Sequence, residues 1–274
     1  MNEARRPAGV LTRPVTRMTG RAAETLEDAI AIERALEIRV DDRPLSVTLR
    51  TPGHDEELAL GFLAVEGVLR SRADVVAMRG SLGAHTGEPD GLEVRLADGV
   101  ALDWSRLERH FASTAACGIC GRAHLESLHA GLARASDDSR FPIDGLLGLP
   151  GHVAGGQAAF AVTGGVHAAA WCDADLAPHV LREDVGRHNA VDKVCGWLLE
   201  QGRYGAGEGV LWVSGRAGAE LVLKAARARI PLMAAVGAPS SLAIELAESA
   251  GMTLVGFLRE GRMNVYTGVQ RIAR

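Results

Sequence analysis

Apolar and polar positions change rhythm along this chain. Residues 36–40 and 45–50 alternate, and Asp41-Asp42-Arg43-Pro44 between them has turn composition, which predicts a strand pair. Residues 55–69 take helical spacing, with Leu58, Phe62, Leu63 and Val65 among the apolar positions. Residues 80–91 have loop composition, and 92–96 with 100–104 predict a hairpin across Ala97-Asp98-Gly99. Such local pairing suits a small α+β unit over residues 21–112.

Residues 123–135 place Leu125, Leu128 and Leu132 at i, i+3 and i+7, an amphipathic helix, and 136–150, rich in Asp, Gly and Pro, predicts a connection. Strand-like stretches follow at 158–163 and 167–172, then a helix whose apolar face is Val191, Val194, Cys195, Leu198 and Leu199. Strand, helix, strand, helix and two strands succeed one another at 210–214, 217–229, 231–236, 240–250, 252–257 and 263–267. This alternation predicts an α/β layered domain over residues 136–274 with a largely parallel sheet. Ligands of such sheets collect beyond the strand carboxyl ends. Here those loops are Ser214-Gly215-Arg216, Gly237-Ala238-Pro239-Ser240 and residues 257–262.

Composition narrows the class. Hydrophobic residues make up 47% and aromatics only 4%, so the chain is globular with a core of Ala, Val, Leu and Ile. Its 33 glycines predict tight turns and close backbone approaches. The net charge of −4 argues against wholesale nucleic-acid binding while leaving room for a local basic patch. Residues 1–20 hold Arg5, Arg6, Arg13 and Arg17; without the apolar run an export signal needs, they predict a flexible basic tail. No apolar stretch is long enough to predict a membrane span. Four cysteines in 274 residues make no disulfide scaffold and point to the reducing cytoplasm.

The candidate chemistry lies at residues 113–135, a cysteine loop followed by the amphipathic helix. Cys117 and Cys120 stand three residues apart among Ala115, Ala116, Gly118 and Gly121. Structural zinc is one option, since Cys117, Cys120 and His124 with His110 or His129 would give four ligands. No second Cys-x-x-Cys exists, and Cys172 and Cys195 lie in apolar patterns that predict burial. A zinc deaminase needs its H-x-E ahead of P-C-x-x-C; here His124-Leu125-Glu126 comes after, and Ala116 replaces the proline. A dithiol oxidoreductase would use a helix N-terminus and Arg122 to lower a thiol pKa. A sulfur carrier would use an exposed low-pKa thiolate, the space left by small neighbours, and a second thiol to assist release. These last two stand level on chemistry alone.

Ala116-Cys117-Gly118-Ile119-Cys120-Gly121 is joined by the run from Arg182 through Asp184-Val185-Gly186-Arg187-His188-Asn189 to Lys193. Ser214-Gly215-Arg216-Ala217, Ala238-Pro239-Ser240-Ser241, Gly256-Phe257-Leu258-Arg259 and Asn264-Val265-Tyr266-Thr267 follow. With residues 57–67 the set is collinear over roughly 25–270 and resembles the formate dehydrogenase accessory sulfurtransferases, the FdhD family. The resemblance implies a larger three-layer α/β/α domain similar to cytidine deaminases without their zinc. It also implies a cytoplasmic sulfurtransferase that takes sulfur from a cysteine desulfurase as a persulfide. The sulfur would pass to the molybdenum of bis-molybdopterin guanine dinucleotide before that cofactor enters the formate dehydrogenase catalytic subunit. Cys117 matches the persulfide-bearing cysteine and Cys120 its assisting partner. Phe257, Leu258, Arg259, Glu260, Gly261 and Arg262 match the cofactor-binding stretch, with Glu260 bringing an acid beside a pyrophosphate. No intrinsic metal is expected, and a homodimer is compatible with the family. The alternative from another class is a zinc-stabilised, cofactor-binding chaperone without sulfur transfer.

Other polar runs have two explanations each. Residues 182–193 form either a helix start held by ion pairs or a ligand wall offering Arg187, His188 and Asn189. Arg259 and Arg262 are either solvated loop arginines or partners for an anionic dinucleotide. Pro239-Ser240-Ser241 predicts a helix start with a serine cap. His152, His167 and His179 are expected to be structural or at the surface.

Overall fold

The computed structural model describes residues 7–82, 90–100, 102, 104, 132, 134–135 and 138–274. Two strands open it, β1 (Val10–Thr19) and β2 (Ala22–Ala31), paired antiparallel from Val10 opposite Ala31 to Thr19 opposite Ala22. From Val10 onward the expected flexible tail is therefore half of a ribbon. Arg13 faces Asp28 and Arg17 faces Glu24 across the ladder, so the basic charge is matched by the next strand. The ribbon is anchored at its base, where Val10, Ala29 and Ala31 pack with Ala159, Val166 and Val185.

A four-stranded sheet comes next, from β3 (Arg34–Val40), β4 (Arg43–Arg50), β5 (Val75–Ser81) and β6 (Gly91–Leu96), in the order β4-β3-β6-β5. The β3–β4 hairpin forms as expected, turning through Asp41 and Asp42 at positive φ. Among the described residues, which omit 101 and 103, the hairpin expected between 92–96 and 100–104 does not form. Both edges of β6 are taken, by β3 in parallel and β5 antiparallel. Helix α1 (Asp55–Val65) packs Leu58, Leu60 and Leu63 into the core beneath this sheet.

Strand β7 (Phe141–Pro142) leads into α2 (Ile143–Ala154). The predicted connection over 136–150 thus gives way to a helix from Ile143, because Leu146, Leu149 and Val153 make a fully buried stripe. Helix α3 (Ala158–Thr163) replaces the expected strand at 158–163. The backbone N–H groups of Ala159 and Phe160 both donate to the Glu183 carboxylate at 2.8 Å, a cap supplied from 24 residues away.

The larger sheet comprises β8 (His167–Cys172), β9 (Pro178–Asp184), β10 (Val210–Val213), β11 (Leu232–Ala235), β12 (Thr253–Arg259) and β13 (Arg262–Thr267). Their order is β13-β12-β11-β10-β8-β9. The sheet is mixed rather than largely parallel. Only β10–β11 and β11–β12 run parallel, because short turns fold β8–β9 and β12–β13 into hairpins at its two ends. Helices α4 (Arg187–Glu200), α5 (Ala219–Arg227) and α6 (Ser241–Ser249) cover one face and α2 the other. Alternate residues sort between them: Leu211, Val213, Met233 and Ala235 face α4–α6, while Val210, Trp212, Leu232 and Ala234 face α2. This is a three-layer α/β/α arrangement. The short strand β14 (Ile272–Ala273) closes the chain beside β7.

The two sheets join through α1 and α4, which cross almost backbone to backbone. A Cβ on Gly61 would sit 1.8 Å from the Asp192 carbonyl oxygen, and one on Gly196 1.8 Å from that of Glu57. Two glycine notches, each fitting the other helix's backbone, set this crossing.

Candidate functional site

Cys117 and Cys120 lie outside the described residues, as do His110, His124 and His129 of the zinc option and the helix expected at 123–135 apart from Leu132, Arg134 and Ala135. Among the described residues no group of three His, Cys, Asp or Glu side chains is arranged to hold a metal ion. Cys172 and Cys195 are buried in the core, as their apolar settings predicted. Burial pushes both thiols up to about 12, so neither is a thiolate near neutral pH.

The polar run 182–193 turns largely inward, as the ion-pair explanation has it. Arg182 grips the Glu57 carboxylate of α1 with two nitrogens, the Nη2 bond measuring 2.6 Å. Lys193 and Asp184, both buried, meet at 2.7 Å, and Lys193 Nζ also donates to the Thr51 carbonyl. Asp184 accepts from the N–H groups of Thr51 and Gly186, while Asn189 Nδ2 donates to the Leu49 carbonyl. These contacts clamp the segment after β4 to the head of α4.

Beside the clamp, a cavity of about 220 Å³ opens between β4, α1, α4 and α5. In its wall the buried Lys224 donates to both Asp192 oxygens, at 2.7 and 2.9 Å. Burial pushes the Asp192 carboxyl up to about 6 against the pull of Lys224. His188 faces Glu220 at 3.3 Å, and burial drives its imidazole down to about 4, so it is neutral at pH 7. Nothing in the local sequence marks Glu57, Lys224 or Asp192 as partners in these pairs, beyond a lysine on the buried stripe of α5, one turn after Leu221.

The loops beyond β10, β11 and β12 meet at the carboxyl edge of the sheet. Gly237 N donates to the Gly215 carbonyl at 2.8 Å, Phe257 N to that of Gly237 at 3.0 Å, and Ala217 N to that of Ala238 at 3.1 Å. A Cβ on Gly237 would lie 2.9 Å from both Arg216 Cα and the Gly215 oxygen, so only glycine lets the loops lie this close. Helices α5 and α6 begin here. Ser240 caps α6 by accepting from Ala243 N, as expected, and Arg216 stands exposed between the loops. His167 sits behind Gly215, whose added Cβ would meet its ring at 3.4 Å.

The β12–β13 hairpin overhangs this edge. Strand β11 ends at Ala235, level with Gly256, so residues 257–262 project past it. Within the overhang the side chains divide. Leu258 is fully buried and belongs to the core under α2, so its side chain is not at the surface. Phe257, Arg259, Glu260 and Arg262 are exposed, and Gly261 makes the turn at φ +76°. Arg259 bends back, its Nη1 donating to the carbonyls of Val236 and Leu258. Guanidinium groups, helix starts and an exposed ring in one place suit an anion carrying a planar group.

A model of the FdhD/NarQ family matches residues 31–273. The chain belongs to that family. The relatives agree. The protein named sulfur carrier protein FdhD in Mycolicibacterium paratuberculosis is 46% identical over 265 residues, covering 95% of this chain and 97% of that protein. Its namesake in Mycobacterium tuberculosis is 46% identical, covering 90% and 93%. The one in Anaeromyxobacter dehalogenans is 42% identical, covering 99% and 97%. The crystal structure of a protein assigned as a formate dehydrogenase accessory protein in Desulfotalea psychrophila shares the fold of this family member. It has a TM-score of 0.79 at 23% identity, covering 97% of this chain and all of that one.

Proposed function

We propose that this FdhD/NarQ family member is a sulfur carrier serving formate dehydrogenase and that it works as a sulfurtransferase through a persulfide on Cys117. The Cys117 thiolate attacks the outer sulfur of a cysteine desulfurase persulfide. That S–S bond breaks, the donor thiolate leaves, and Cys117 holds the outer sulfur as a new persulfide. The sulfur then passes at the sulfide level to the molybdenum of bis-molybdopterin guanine dinucleotide: the Cys120 thiolate attacks the inner sulfur of the Cys117 persulfide, that S–S bond breaks to release the outer sulfur, and the Cys117–Cys120 disulfide left behind is reduced by an external dithiol. The loaded cofactor goes on to the formate dehydrogenase catalytic subunit in the cytoplasm. In this reading the cofactor is the substrate, held at the sheet edge with its pyrophosphate toward Arg262 and Arg259.

One observation carries the proposal. The chain aligns over 90–99% of its length with proteins named sulfur carriers, and of its four cysteines two are buried with thiols near 12. Thiolate chemistry is thereby left to Cys117 and Cys120. No helix among the described residues is long and apolar enough to cross a membrane.

The test is intact-mass spectrometry after incubation with a cysteine desulfurase and cysteine, on wild type, Cys117→Ser and Cys120→Ser. A reducible gain of one sulfur atom that is lost in Cys117→Ser is the expected result. No gain in any sample, with stoichiometric zinc that disappears in Cys117→Ser, would instead make the chain a zinc-stabilised, cofactor-binding chaperone.

A further inference from the structure

We propose that the cavity between β4, α1, α4 and α5 binds a small zwitterion, an α-amino acid with a compact apolar side chain. Glu220 would hold its ammonium and Lys224 its carboxylate. The site is separate from the cofactor edge, and the inference does not rest on the cofactor reading. The cavity lies beside α4, over the β8–β9 end of the larger sheet, whereas residues 257–262 belong to the hairpin at the opposite end.

Two deficits in the cavity wall set the chemistry of its occupant. The first is an acceptor. Lys224 is 5% exposed, and a lysine ammonium has three N–H groups to place. Two go to the Asp192 oxygens, and the third has no partner among the described residues. Burial works against this ammonium, but Asp192 and Glu220 outweigh it and raise its pKa, so it is charged at neutral pH. A buried donor without an acceptor is destabilising, and this one belongs to a side chain that lines a cavity. The second deficit is a cation. Three carboxylates line the cavity, of which Asp192 has Lys224 and Glu66 has Arg227 at 3.9 Å. Among the described residues the ion-pair partner of Glu220 is His188 at 3.3 Å, and that imidazole is neutral at pH 7 because burial drives its pKa down to about 4. Glu220 therefore lacks a counter-charge.

The two deficits stand one helical turn apart. Glu220 and Lys224 are i and i+4 on α5, neighbours on one face, and a long helical side chain leans toward the N-terminus, here toward Glu220. An α-amino acid carries its ammonium and carboxylate on one carbon, so it meets both at once. A simple amine would leave the Lys224 donor unmet, and a simple carboxylate would set a further anion against Glu220. The rest of the lining receives the side chain, since Ile38, Leu58 and Phe62 are apolar. A volume of about 220 Å³ is below the range of drug-sized sites, about 300–1,000 Å³, which keeps the occupant small. A charge-assisted contact at either end corresponds to about tenfold in affinity.

The test is an NMR titration of the full chain that reads the backbone amides of Thr48, Asn189 and Glu220. Three probes of one shape are used: L-valine, isobutylamine, which lacks the carboxylate, and isovalerate, which lacks the ammonium. The variants are E220Q, at a half-exposed position, and D192L/K224M, which replaces the buried pair together so that no charge is left alone. In wild type, valine should shift these amides and bind about tenfold tighter than either analogue. E220Q should weaken valine about tenfold and leave isovalerate no weaker, and D192L/K224M should bring valine level with isobutylamine. E220Q and the two analogues decide the question even if the double variant does not fold. Isobutylamine binding as tightly as valine would overturn the zwitterion in favour of a simple cation. Valine affinity unmoved by E220Q, or shifts confined to amides away from the cavity, would overturn the site, as would no shift with any probe. None of these outcomes touches persulfide formation on Cys117, so a failure here is distinct from failure of the sulfur-carrier reading.

Discussion

The joint between α1 and α4 and the carboxyl edge of the central sheet are both dense in charge, and they use it in opposite ways. At the joint Arg182, Glu57, Asp184, Lys193, Asp192 and Lys224 are paired with one another, Lys193 and Asp184 at 1% and 0% exposure. At the edge Arg216 and Arg262 are exposed beside helix starts and the Phe257 ring. Inward charge ties two sheets together and outward charge is available to a ligand. Residue type alone does not separate the two.

The comparison breaks most readily at the joint. Lys193→Met leaves Asp184 buried without its cation and should cost about 3–5 kcal/mol in a denaturant melt. A loss below 1 kcal/mol would show that water reaches the pair. Next in size, Gly61→Ala and Gly196→Ala force apart two helices that touch backbone to backbone. Each should cost about 3 kcal/mol, and the double variant less than the sum, since one displacement relieves both clashes.

The His188 environment sharpens the contrast through pH. Burial holds its folded pKa near 4, below the ordinary 6.5, with Glu220 pulling the other way and Lys224, Arg187 and His167 adding to the depression. As pH falls the unfolded chain takes up the proton first. The His188 contribution is therefore fully present above about 6.5 and is lost as the pH falls toward 4. Asp192, raised to about 6, acts in the opposite sense over the lower part of that window. His188→Gln should flatten the decline by about 1 kcal/mol, allowing for the solvent screening of a side chain 32% exposed. An unchanged slope would mean that the ring is protonated alike in both states. Smallest in stability is Arg262→Ala, expected within about 0.5 kcal/mol of wild type. Its pyrophosphate affinity should nevertheless fall about tenfold by calorimetry, the reverse of the pattern at the joint.

Much of the architecture was legible in the sequence. The period-2 run before and after Asp41-Asp42 became β3 and β4, the 3.6-period stripe ending at Leu198 and Leu199 became α4, and Ser240 capped α6. These are decided by neighbours a few residues away. What was not legible depended on distant partners. Residues 158–163 carry the β-favouring Phe160 and Val162, yet coil as α3 because Glu183 caps them. Residues 10–19 read as a tail because their matching acids stand on the next strand. The Asp, Gly and Pro content of residues 136–150 suggested a connection, but the buried stripe of Leu146, Leu149 and Val153 outweighed it.

Sequence by itself determined the β3–β4 hairpin, the order of elements from α4 to β13, most apolar faces and the spacing of Cys117 and Cys120, since period, turn chemistry and thiol spacing are local properties. Tertiary structure decided which charges face inward, that Cys172 and Cys195 are held as neutral thiols, and that a bulge turns Phe257 outward while sinking Leu258. Those outcomes depend on burial and on partners far along the chain, such as Glu57 with Arg182 and Gly237 with Phe257. The free energy of a charge or a ring is set by its surroundings, and only folding supplies them.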